Sequence, residues 1–164
     1  MKNLYLNKYR RESLRRKNWD YGKICTYFIT LCTHNKISFF GEKINGQIEL
    51  TRVGEIARTI WFSIPDHHPH ITLDDLVIMP DYIHGILRLN ANIPHSTKES
   101  SKRFQNPGKG SLPTVVGLYK SSVSRESRKI NPDFKWQSDY WEVIVKDYNH
   151  LKNIRDYIHK NPEK

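Results

Sequence analysis

The sequence predicts an α+β fold, an antiparallel sheet of ferredoxin-like type with helices packed mainly on one face. Three observations lead there. Runs rich in β-branched and aromatic residues alternate with three segments of helical periodicity. An Asn45-Gly46 pair sits between two short apolar runs, as in a two-residue hairpin. The 164 residues, 37% hydrophobic and 27% charged, suit one domain with a sizeable core.

The elements follow in order. Residues 23–33, KICTYFITLCT, read as a first, central strand. Cys25 and Cys32 fall on its opposite faces, so no disulfide or zinc framework is expected, and a reducing, cytoplasmic location is. Residues 37–50 form the hairpin, because both turn positions need positive φ. Val53, Ile56, Ala57, Ile60, Trp61 and Ile64 recur at helical spacing, with Thr51 as cap and Pro65 as stop. ITLDDLVIMP and YIHGILRLN read as two strands, or one bent strand, broken at Pro80-Asp81.

Residues 91–110 are polar, basic and rich in Pro, Gly and Ser, which predicts a long loop inside one domain. A helix restarts at Ser111-Leu112-Pro113, with Leu112, Val115, Val116, Tyr119 and Val123 on its apolar stripe. Lys120, Arg125, Arg128 and Lys129 form a basic stripe on it. DYWEVIVK is a last strand. The last helix carries Tyr148, Leu151, Ile154 and Ile158 on one face and stops before Pro162.

The net charge is +10. A cationic surface of this size implies a polyanionic partner, and nucleic acid is the commonest. No run is long enough for a membrane span, and no signal-peptide pattern opens the chain. Residues 1–22 hold seven Lys or Arg against two acids and read as a basic arm, either partner-binding or solubilising. The single domain then runs over residues 23–164.

Four groups of residues bear on chemistry. Tyr82 and His84 stand two apart, so a strand turns both to one face. A His-x-His pair there would make half a metal site, but a phenol with a pKa near ~10 is a poor ligand at neutral pH. Tyr119 is a candidate nucleophile toward a phosphodiester and equally a core tyrosine. Residues 66–70, DHHPH, read as a polar turn. Trp136, Gln137, Tyr140 and Trp141 stand near Lys135 and Lys146, a combination that suits base stacking or the lid of a core.

VIMPDYIHGIL resembles the MPNHVHGI signature of the HUH-type single-tyrosine transposases, in the branch of the REP-associated tyrosine transposases. YFITLCTHNKISFFGE, TVVGLYKSSVSR, KWQSDYWEVIVKD and NIRDYIHKNPEK resemble further motifs of that family, in order, from about residue 27 to 164. The resemblance implies a ferredoxin-like sheet, single-stranded or hairpin DNA as partner, and Mg²⁺ or Mn²⁺ held by the signature histidines. It implies a helix tyrosine that cleaves and rejoins DNA through a 5′-phosphotyrosine. Many members are dimers, so a homodimer is one expected assembly, associated with the nucleoid of a bacterium.

Carried over by position, His84 is the metal ligand and Tyr119 the catalytic tyrosine, with Lys120, Arg125, Arg128, Trp136 and Gln137 as DNA contacts. The first signature histidine is Tyr82 here, and Val143 stands where the family often has another histidine. Two expectations follow: a metal-dependent strand transferase, or a DNA-binding protein of the same fold whose metal site has decayed. A third reading, an RNA-binding domain, lacks an aromatic signature on a central strand.

Overall fold

A computed structural model describes residues 15–94 and 108–163, together with the backbone of two short paired strands, β1 (Leu4–Tyr5) and β2 (Lys8–Tyr9). The rest of the predicted basic arm and residues 95–107 of the predicted loop lie outside the described residues.

Strand β3 (Cys25–Cys32) is the centre of a four-stranded antiparallel sheet. β6 (Ile71–Ile78), β7 (Tyr82–Leu89) and β8 (Trp141–Ile144) complete it, in the spatial order β6-β7-β3-β8. Helix α1 (Arg52–Phe62) connects β3 to β6, and α3 (Leu112–Ser127) connects β7 to β8. This βαββαβ order is the ferredoxin-like arrangement the sequence predicts. The expected break at Pro80-Asp81 is a tight connection between two antiparallel strands, β6 and β7.

The hairpin is where Asn45-Gly46 requires it. β4 (Gly41–Ile44) and β5 (Gln47–Leu50) pair across a turn with φ of 51° at Asn45 and 80° at Gly46. Thr51 caps α1 by accepting from the Gly54 N–H at 3.1 Å. Pro65 does not stop this helix. The helix ends at Phe62, and Pro65 opens the one-turn helix α2 (Ile64–His67), where its missing N–H costs nothing. The predicted DHHPH turn therefore divides: Asp66 and His67 belong to α2, and His68 to His70 make the turn, with His70 Nε2 2.8 Å from the Gly110 carbonyl and its ring edge-on to His68.

The pleat of β7 sorts the two layers. Ile83, Gly85, Leu87 and Leu89 face α1 and α3. There Trp61, Tyr27, Leu31, Phe40, Leu112 and Phe134 form the main core. Tyr82, His84 and Ile86 face the other way. That second face is partly covered by α4 (Tyr148–His159), through Ile154 and Ile158 against Ile86, Phe28 and Val77. Tyr148, predicted on the apolar stripe of α4, is instead 72% exposed, because it stands at the first residue of the helix, clear of the sheet. Residues 15–22 pack as part of this unit, with Tyr21 donating to Glu142 and Trp19 Nε1 to the Tyr27 hydroxyl at 3.0 Å.

A bulge in β6 between Leu73 and Leu76 directs two successive acids at α4. Arg155 holds Asp74 with two hydrogen bonds of 3.1 and 2.6 Å, and His159 Nε2 lies 2.9 Å from Asp75. The Arg155 guanidinium holds the Asp74 carboxyl below the usual carboxylate range. A depressed folded pKa contributes stability that is present above the unfolded value and lost as pH falls through the folded one. Hydrogen exchange should therefore show α4 losing protection below about pH 4 while the β3 and β7 amides stay protected. Arg155→Ala should abolish that pH dependence.

Candidate functional site

His84 lies at the middle of β7, in register with Val77 of β6 on one side and Thr30 of β3 on the other. Its Nδ1 is 2.9 Å from the Thr30 hydroxyl, which fixes the ring. Three aromatic rings surround it, with centroids 4.7 Å (Tyr82), 5.1 Å (Phe28) and 5.5 Å (Tyr157) away. His84 is only 6% exposed as a result.

Tyr82 is on the same face, as the i, i+2 spacing requires. Its hydroxyl donates to Asn161 Oδ1 at 2.5 Å. Asn161 is buried in the 3-10 turn Asn161–Glu163 that follows α4, so the bond ties the end of the last helix to the sheet. Burial, reinforced by Tyr157, Asp81 and Cys32, pushes the phenol further from ionisation.

The residues present do not fit a divalent metal. Such a site needs converging donors that are deprotonated or lone-pair bearing. Tyr82 is a protonated donor committed to Asn161, and His84 has Nδ1 engaged with Thr30. Among the described residues, no group of three or more His, Cys, Asp or Glu side chains gathers to hold an ion. Val143 shares the face but pairs with Phe28, on the far side of β3 from His84. Two strand spacings across and two residues along the sheet put it about 12 Å away.

The structure moves Tyr119 out of this site. It lies on α3, on the opposite side of the sheet from His84, with its ring edge-on to Trp61. It is 3% exposed, and its hydroxyl donates to the Ala57 carbonyl at 3.0 Å. Burial pushes its pKa strongly upward. It is a core tyrosine with a satisfied hydroxyl, the opposite of an activated nucleophile.

The expected DNA contacts divide in the same way. Lys120 is drawn over the loop after Trp136, with Nζ donating to the Gln137 carbonyl at 2.7 Å and to those of Ser138 and Asp139. Trp136 is 8% exposed, packs on Phe40 and Phe134, and donates Nε1 to the Lys120 carbonyl at 3.0 Å. Both side chains are engaged with this chain's own backbone. The Gln137 backbone N–H continues the sheet by donating to Cys32. Arg125 is exposed beside Glu126, and Arg128 Nε donates to the Phe134 carbonyl. Arg125 sits on α3 and Arg128 caps its C-terminal end, both across the sheet from His84.

Tyr157 is the residue that sequence reasoning missed. It stands on α4 between Ile154 and Ile158, 42% exposed, with its ring facing His84 and edge-on to Phe28. The available signal was its place in NIRDYIHKNPEK, one of the motifs that carry the resemblance, and its offset by one position from the buried Ile158.

No family model matches the chain. An uncharacterized protein of Haemophilus influenzae is 34% identical over 162 residues, spanning 93% of this chain and 88% of that protein. A second protein of the same organism, described as "Putative REP-associated tyrosine transposase", is 24% identical over 153 residues, spanning 88% and 74%. Among solved structures, the chain shares its fold with a REP-associated tyrosine transposase bound to a REP hairpin. The TM-score is 0.50 at 18% identity, over 94% of this chain and 72% of that one. No helix among the described residues is long and apolar enough to cross a membrane.

Proposed function

We propose that the chain is a DNA-binding member of the REP-associated tyrosine transposase family that engages hairpin or single-stranded DNA without cleaving it. The observation that carries this reading is the state of His84. It is buried in a box of three aromatic rings, and its partner on the strand is a tyrosine bonded to Asn161. A cleavage site needs a polarised phosphate, and this arrangement supplies neither a second nitrogen ligand nor open access to the first. What supports the binding half is the net charge of +10 and a fold shared with a transposase bound to a REP hairpin.

Native gel shifts with a labelled hairpin carrying a single-stranded foot test it. Lys and Arg contacts release counterions, so affinity should fall by at least tenfold between about 50 and about 200 mM salt, with or without Mn²⁺. Absence of any shift at low salt would remove the DNA-binding reading.

One observation favours a second reading, in which the protein is a working strand transferase. Tyr157 is a half-exposed tyrosine on the same face as His84, 5.5 Å away between ring centroids. In that case Tyr157, not Tyr119, is the attacking residue, and DNA binding must first part the aromatic cover of His84.

A further inference from the structure

The last strand ends the sheet with an unusual surface. Among the described residues β8 pairs only with β3. Its pleat sends Glu142 and Ile144 toward the main core and Trp141 and Val143 to the α4 face. Trp141 is 54% exposed and Val143 42%. Trp136, five residues earlier, is buried. A tryptophan left half in water on a strand is the kind of exposed apolar surface that marks an interaction site.

The register gives Trp141 a place. It stands opposite Thr30, and Thr30 stands opposite His84. The three residues form one row across the sheet, with Trp141 about 10 Å from His84 by two strand spacings. Tyr157 extends the aromatic surface above the row. Beside it, an open groove of about 690 Å³ follows β8 and is lined by Arg16, Lys146 and His150 together with Trp19, Val143 and the acid Glu142. Arg16 and Lys146 are exposed. An exposed indole next to a groove edged by two exposed cations, Arg16 and Lys146, fits a single nucleic-acid strand, whose base stacks while its phosphates follow the cations.

From this juxtaposition we infer that Trp141 is a stacking platform for an unpaired base of a DNA strand crossing the α4 face. The inference rests on the DNA-binding reading above and adds the residue and the subsite to it. Stacking tolerates any base, so this contact contributes affinity for unpaired DNA with little sequence preference.

The test is a fluorescence titration of the full chain with oligothymidylate, comparing wild type, Trp141→Phe and Trp141→Ala. Wild-type emission should be quenched on binding. Trp141→Ala should lose most of that quench and bind about 10- to 100-fold more weakly. Trp141→Phe should keep most of the affinity, and the salt slope should be the same in all three, because stacking releases no counterions. Wild type that fails to bind the oligomer overturns the DNA-binding reading and this inference with it. Wild type that binds, with Trp141→Ala equally tight, overturns the stacking role alone. Sedimentation showing a wild-type dimer that Trp141→Ala converts to monomer would assign the surface to a second copy of the chain instead.

Discussion

Tyr82→His should turn a protein indifferent to Mn²⁺ into one that Mn²⁺ stabilises. The substitution places two imidazoles at i and i+2 on one face of β7, the spacing at which two nitrogens converge on one ion. It also removes the hydroxyl that donates to Asn161, so the end of α4 is untied from the sheet and the cover over His84 loosens. At ten times the dissociation constant, binding to the folded state alone adds ~1.4 kcal/mol. For a domain of this size that raises the melting temperature by about 3–6 °C. The comparison is each variant with and without Mn²⁺, which cancels the lost Tyr82–Asn161 bond. Wild type should not shift. A wild-type shift as large as that of Tyr82→His would mean that the phenol, or a group outside the described residues, serves as a ligand.

The largest stability effect should come from Gly54→Ala. Gly54 sits in the first turn of α1, where alanine is ordinarily the better helix former. Here a Cβ would stand 2.0 Å from the Phe40 carbonyl oxygen and 3.2 Å from Leu50 Cβ. The oxygen belongs to backbone that is itself fixed, since Phe40 accepts from Thr51 and donates to Pro80. α1 would have to move off the hairpin and disturb Trp61, which packs where a Cβ on Gly85 would be. The expected loss is about 3 kcal/mol or more, a large part of the 5–15 kcal/mol that holds a typical domain together. Urea denaturation measures it directly. A stability equal to wild type would show that α1 and the hairpin are less closely packed than the 2.0 Å approach requires.

Local signals carried most of the fold. Asn45-Gly46 sets a hairpin by its own φ preference, and Thr51 sets a helix start by its hydroxyl. The α3 stripe from Leu112 to Val123 is buried throughout. What periodicity does not encode is the side of the sheet on which each stripe is buried. That choice separates Tyr119 from His84 and brings Tyr157 to it. Both tyrosines sit on amphipathic helices, but Tyr119 lies within its stripe and Tyr157 one position off it.

The aromatic cluster near β8 shows the same limit. Trp136 and Trp141 read alike in composition, and only the strand register separates a core ring from an exposed one. Arg155 and His159 were equally silent, because their partners Asp74 and Asp75 face α4 only by virtue of a bulge.

The central claim is that the chain holds DNA but lacks the constellation to cut it. A denaturing gel of the protein with 5′- and 3′-labelled hairpin DNA and Mn²⁺ tests this most directly, run beside Tyr157→Phe and Tyr119→Phe. The account predicts intact DNA and no slow-migrating protein–DNA adduct in any lane, at protein concentrations that fully shift the same hairpin on a native gel. A covalent adduct formed by wild type, absent in Tyr157→Phe and unchanged in Tyr119→Phe, would contradict it and make the chain a working tyrosine transferase.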